Sequence, residues 1–293
     1  MSDSNKTSLF SFLIVISMII WGGSWVSAKA IANTLPSETL VFWRLFITSI
    51  SFIPILLFWK EPLKISKSAL VYSIFGSLSL GLYLYLFFKA LIYGFAGAAG
   101  VLVTTMIPLS TFILSIFFFN RKVSAKDFAG LILGIAGGCI LLNIWTVNSN
   151  NVFITGNIYF LFCAVFWALL TIFSQKAGNL VSPLIFSLFV NVFCSVLFFF
   201  IALPHGILTV FEQGSLFWLN MIYLSVISST FATTVYFFAS SRLSSFKASS
   251  FVFMVPSSAV ILSWYFLDEQ PRTSTITGGV IAITAVYLIN MRG

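Results

Sequence analysis

The sequence predicts an all-α membrane protein of ten transmembrane helices, arranged as two inverted five-helix repeats. Three observations carry that prediction. Only 8% of the 293 residues are charged and 59% are hydrophobic, with a mean hydropathy of +1.07. A soluble domain carries about 25% charged residues, and so few charges cannot cover a water-exposed surface. The lysines and arginines alternate from loop to loop, as a multi-span protein requires. Finally, positions of the first half recur in the second.

A span needs about 20 mostly apolar residues. Ten windows meet that need: Leu9–Ala32, Glu38–Phe58, Ala69–Ile92, Ala96–Phe119, Asp127–Trp145, Ile154–Ser174, Ser182–Leu203, Phe217–Ser240, Ala248–Leu267 and Thr273–Met291. With the N-terminus in the cytoplasm, eleven cations fall in inner loops: Lys6, Lys60, Lys64, Lys67, Arg121, Lys122, Lys126, Lys176, Arg242, Lys247 and Arg292. Arg272 alone falls outside, and Lys29, Arg44 and Lys89 fall within spans, which accounts for all fifteen. Both termini are then cytoplasmic. Ala28-Lys29-Ala30 resembles a signal-peptide cleavage site, but the apolar run before it is about 20 residues where roughly 7–15 is usual, so span one is expected to be retained.

The net charge of +8 is accounted for by these inner loops, and no nucleic-acid partner is expected. Cys139, Cys163 and Cys194 each sit in an apolar run with no CxxC spacing, and His205 is the one histidine. Neither a metal site nor a Ser-His-Asp arrangement at membrane depth can be built from these. No GxxxxGK[ST] is present, so no ATP motor and no cofactor is expected.

Pro108, Leu114 and Gly130 match Pro256, Leu262 and Gly278 at an offset of 148; Trp21 and Pro36 match Trp167 and Pro183 at 146 and 147. The chain thus divides into residues 1–145 and 146–293, with five spans each. Five is odd, so the second copy enters the membrane from the opposite side. Inverted repeats of this kind commonly build transporters with the substrate site near the midplane.

The residues Trp21-Gly22, Pro36 followed by Arg44, and Pro256…Leu267-Asp268-Glu269…Gly278 resemble the drug/metabolite transporter superfamily, in its EamA family. The first-half counterpart Pro108…Phe119-Asn120-Arg121…Gly130 departs from the pattern by lacking an acid. The resemblance implies a ten-helix basket around a central cavity, in the inner (plasma) membrane, moving small metabolites such as amino acids.

Depth along each span selects candidate path residues, at about 1.5 Å per residue. Trp21 and Trp167 lie about 18 and 20 Å into their spans, near the middle of a core about 30 Å thick. Tryptophan ordinarily belongs at the membrane interface. A symmetric midplane pair either walls a cavity or fills space between helices. Lys29 and Lys89 lie about 30 Å in, at the outer boundary, where both can reach water. Arg44 lies about 9 Å below the outer edge, where an arginine is costly. It either faces a cavity, where it could bind a carboxylate bidentately, or pairs with Glu38 or bonds helix carbonyls. Asn191 is its repeat equivalent. Trp43, Tyr83 and Tyr236 complete the substrate-contact set, with lesser candidates in Thr104, Thr105, Ser228, Ser229, Thr230, Thr233 and Thr234.

Gly22, Pro108 and Pro256 are candidate hinge or gating residues, since proline removes a helical hydrogen bond. Gly130, Gly134 and Gly138 are spaced for close helix approach, within the molecule or between two copies. All seven acids lie at or near span ends, so no midplane carboxylate is available for proton coupling. The expectation is an alternating-access carrier, a monomer or homodimer in the bilayer, for a small zwitterionic or aromatic metabolite, most readily an amino acid. The alternatives are an S-adenosylmethionine carrier, an exporter of lipophilic cations, and a membrane-embedded lipid-modifying enzyme.

Overall fold

The computed structural model describes residues 3–93, 96–120, 124–141, 145, 155–258 and 273–290. Among these, every regular element is helical. In chain order they are α1 (Asp3–Ile31), α2 (Ser37–Trp59), α3 (Lys67–Tyr93), α4 (Ala96–Phe119), α5 (Ala125–Leu141), α6 (Thr155–Ala177), α7 (Pro183–Ala202), α8 (Ser215–Leu243), α9 (Ser245–Ser250) and α10 (Thr273–Asn290). Two short 3-10 turns, Leu203–His205 and Ile207–Glu212, join α7 to α8.

Among the described residues, six helices are long and apolar enough to cross a bilayer: α2, α3, α8, and the segments Phe12–Ile31, Ile158–Ala177 and Pro183–His205. Shorter apolar stretches occupy Val103–Phe119 and Ile276–Asn290. Their outward faces are oily: Phe58 is 82% exposed and Phe117 76%. Acyl chains, not water, suit such surfaces. The chain is a multi-span helical membrane protein.

The helix ends follow local chemistry. Ser182 caps α7 by accepting from the Ile185 N–H at 3.3 Å, and Pro183 follows with no N–H to leave unpaired. Ser66 caps α3 and Ser124 caps α5 in the same way. Lys60 closes α2 in the left-handed conformation, its N–H bonded to the Leu56 carbonyl at 2.8 Å.

Helices from the two halves interleave. α2 packs on α7, α5 on α10, α1 on α8, and α3 on α6. The glycines of α5 serve these contacts within the molecule. A Cβ on Gly137 would stand 2.8 Å from the Ala282 nitrogen in α10, and one on Gly134 would strike the Phe253 ring at 2.4 Å. Gly138 lies against Thr105 and Gly130 against Ile289. The glycine pattern is therefore used up inside one chain.

Two expected spans differ in detail. The centre of α8, Tyr223–Thr233, is wound as a π-helix. Hydroxyls on this stretch bond carbonyls five residues back: Ser229 to Leu224 at 2.9 Å, Thr230 to Ser225 at 3.1 Å and Thr233 to Ser228 at 3.1 Å. The ninth span begins with α9, then tightens to a 3-10 turn at Phe251–Phe253 before resuming a helix over 254–258. Its expected remainder to Leu267 lies outside the described residues, as do Arg121, Lys122, Asp268, Glu269 and Arg272.

Candidate functional site

Aromatic and hydroxyl side chains from both halves meet at a central cavity. Trp21, Ser24 and Trp25 of α1, Arg44 of α2, and Tyr83 and Phe87 of α3 form one side. Val103, Thr104 and Ile107 of α4, Trp167 of α6, Ser228 and Thr233 of α8, with Val252 and Val255, complete it. The space among them open to the centre of a water-sized sphere is about 50 Å³. Thr104 and Val252, like Ile107 and Val255, are 148 residues apart, the spacing of the two prolines. Pro108 and Pro256 are buried one residue beyond Ile107 and Val255.

The two tryptophans touch. Trp21 and Trp167 meet edge to face, with ring centroids 5.0 Å apart and planes at 87°. Tyr83 stands 4.7 Å from Trp167, and Tyr236 stands 5.0 Å from Trp21 and 5.9 Å from Trp167. Edge-to-face pairs at these distances contribute about 0.5–1.5 kcal/mol each beyond burial. Tyr236 is fully buried behind the cavity and shares a hydrogen bond with Thr171 at 3.1 Å. The Trp21 N–H reaches the Ser228 carbonyl at 3.4 Å. The Trp167 N–H makes no well-aligned hydrogen bond among the described residues; its loose partner is the Tyr236 hydroxyl.

Arg44 is 7% exposed. Its Nε donates to Ser229 Oγ at 3.2 Å, and that hydroxyl in turn donates to the Leu224 carbonyl. No carboxylate among the described residues lies within ion-pair distance of it. Glu38, the acid considered as its partner, instead faces Lys89 at 3.8 Å. Six residues along a helix put Glu38 and Arg44 on different faces. Lys29 donates to the Leu91 carbonyl near the end of α3.

The π-helical stretch of α8 ties this wall to α1 and α2. Ser24 donates to Ser228 Oγ at 2.9 Å, Thr48 to the Ser225 carbonyl at 3.1 Å, and the Ser51 and Thr230 hydroxyls bond each other. Tyr223 donates to the Ile20 carbonyl at 2.7 Å, its hydroxyl lying where a Cβ on Gly23 would be 2.6 Å away. Gly23 is thus the close-approach glycine, and its neighbour Gly22 is simply buried. π-helical turns cluster at functional sites, and the S-S-T-F-A-T-T run is the signal in the sequence.

Two sequence candidates stand apart. Trp43 packs with Phe46, Phe211 and Trp218 and donates to the Ile207 carbonyl at 2.8 Å, bracing the α7–α8 connection. Asn191 is buried on α7 and bonds the Ser187 carbonyl of its own helix at 2.8 Å. Conversely, Trp25, Phe87, Val103, Ile107, Val252 and Val255 line the cavity without having been singled out. No cluster of three His, Cys, Asp or Glu suited to a metal occurs among the described residues.

The EamA-like transporter family model matches residues 9–143 and again 154–291, and the chain belongs to that family. It is 25% identical over 276 residues to the uncharacterized transporter YoaV of Bacillus subtilis, covering 94% of each chain. It is 26% identical over 204 residues to an S-adenosylmethionine uptake transporter of Rickettsia bellii, 67% of each chain. A crystal structure at 20% identity superposes with a TM-score of 0.76 over 96% of this chain and 97% of that one, which shows the fold.

Proposed function

We propose that this protein is a carrier for a small carboxylate-bearing metabolite with an apolar or aromatic part, an amino acid or a relative of one. The observation that carries this reading is Arg44: a buried guanidinium beside the central cavity, with one neutral partner and no described carboxylate in reach. A buried charge is costly unless paired, and a substrate carboxylate completes it in the bidentate geometry guanidinium favours. The Trp21, Trp167 and Tyr83 rings supply the apolar wall.

The carrier works by alternating access between two inverted five-span halves in the inner membrane, with cytoplasmic termini. Two matches to one family model support this arrangement. So does the packing: α1 on α8 exchanges with α6 on α3, while α2 on α7 and α5 on α10 map onto themselves. The residues flanking Pro108 and Pro256 line the cavity, which suits a hinge role at both. It acts as a monomer, since the α5 glycines are already occupied.

Purified protein in proteoliposomes should take up radiolabelled carboxylates, with Arg44→Ala and Trp21→Ala losing most of the flux. Wild-type rates in both variants would sink the assignment. A second reading, an S-adenosylmethionine carrier, is favoured by the relative so named, and that molecule also carries an amino-acid carboxylate. An exporter of lipophilic cations is disfavoured by the arginine.

A further inference from the structure

The cavity holds donors without counter-charge. Arg44 is one: among the described residues its guanidinium is bonded through Nε alone, to a hydroxyl. Trp167 is a second: the residue is 5% exposed, lines the same cavity, and its indole N–H makes no well-aligned hydrogen bond among the described residues. A buried unpaired N–H costs about 1–3 kcal/mol, so a position like this is stable chiefly when something supplies an acceptor. No Asp or Glu lines the cavity among the described residues. The sequence places every acid of the chain at or near a span end. Glu38, on the same helix as Arg44, is occupied by Lys89.

We propose that the preferred substrate is a net anion: a carboxylate for Arg44, a second acceptor oxygen for the Trp167 N–H, and no ammonium group. This rests on the carboxylate-carrier reading and narrows it. The charge balance separates the classes. A monocarboxylate neutralises the site. A zwitterionic amino acid brings an ammonium beside an arginine with no carboxylate to receive it, and leaves one positive charge buried. S-adenosylmethionine, with its additional sulfonium, leaves two. The hydroxyls of Ser228, Ser229 and Thr233 can accept a hydrogen bond, yet being neutral they cannot offset an ammonium's charge. A 2-oxo acid presents the required pair of acceptors, a carboxylate and an adjacent ketone oxygen.

The test uses matched probes that differ only at the α-carbon: phenylpyruvate against phenylalanine, and 4-methyl-2-oxovalerate against leucine, with S-adenosylmethionine as a cationic arm. Uptake into proteoliposomes is measured under potassium diffusion potentials of both signs. The expected result is at least tenfold better competition by each oxo acid than by its amino acid, with uptake accelerated when the lumen is positive. Trp167→Phe, which keeps a ring and removes the N–H, should weaken phenylpyruvate about tenfold more than it weakens 3-phenylpropionate, which has no ketone; equal weakening of the two would overturn the role given to the N–H. Arg44→Lys should retain partial activity and confirm that charge is what the site reads. Equal or better transport of the amino acids, insensitive to potential, would overturn the proposal and leave the carrier reading intact. Saturable, Arg44-independent uptake of all probes, or uptake of none, would overturn both.

Discussion

Replacing Arg44 with methionine should stabilise the protein while disabling it. The guanidinium is 7% exposed and has a single hydrogen bond, to Ser229 at 3.2 Å. Burying an ion costs several kcal/mol, and one bond to a charged group returns about 1.5–3 kcal/mol. The hydroxyl left behind stays satisfied, because Ser229 already donates to Leu224 at 2.9 Å. Methionine fills similar volume with no charge. The net expectation is a gain of about 1–3 kcal/mol, read as a melting temperature several degrees higher in detergent. Flux of the carboxylate substrate should fall about ten- to a hundredfold, the equivalent of a lost charge-assisted bond. Substrate-induced thermal stabilisation should vanish as well. A variant that melts lower and still transports would show that Arg44 is a structural residue, and the reasoning from its missing counter-ion would be wrong.

Three further outcomes follow from the packing. Gly137→Ala pushes a methyl to 2.8 Å from the Ala282 nitrogen and 3.0 Å from the Gly278 carbonyl, both backbone atoms that cannot swing aside. A loss of about 1–3 kcal/mol is expected in thermal melts, whereas Gly214→Ala, which meets nothing within 4 Å, should melt like the parent. Ser229→Ala removes the anchor of Arg44 Nε and should weaken apparent substrate affinity about fivefold, close to 1 kcal/mol, with folding intact; an unchanged KM would place the arginine's restraint elsewhere. For the Glu38–Lys89 pair, 3.8 Å apart with side chains 11% and 33% exposed, a double-mutant cycle of melting free energies should give a coupling of about 1 kcal/mol or less.

The sequence was most legible where a residue type was expensive. Arg44 and the Trp21/Trp167 pair stood out because charge and indole N–H groups are hard to accommodate deep in a bilayer, and the structure brings all three to one cavity. Tyr83 and Tyr236 were found by the same reasoning and join the same ring cluster. Trp43, the next residue before Arg44, shows the limit: consecutive helix residues point about 100° apart, and it turns to the α7–α8 connection. Asn191 was chosen by repeat position, yet its amide is satisfied on its own helix. The apolar cavity wall was not legible at all. In a chain this hydrophobic, Ile107 and Val255 carry no mark that separates lining from lipid contact. For the π-helical winding of α8 the sequence offers only the hydroxyl-rich run at residues 228–234, since those hydroxyls can bond four residues back as readily as five.

Arg44 and Asn191 occupy corresponding places in two copies of one design, and only the first carries a charge. Were the copies chemically equal, each mouth of the cavity would present a substrate with the same welcome. Here the α2 position brings a full positive charge to the cavity wall, while the α7 position holds a buried amide that does not reach the cavity and is spent on the Ser187 carbonyl. The two directions of passage therefore begin from unequal grips. Without an energy source such lopsidedness moves nothing net at equal concentrations; for the proposed carrier it would set only which face binds its cargo more tightly.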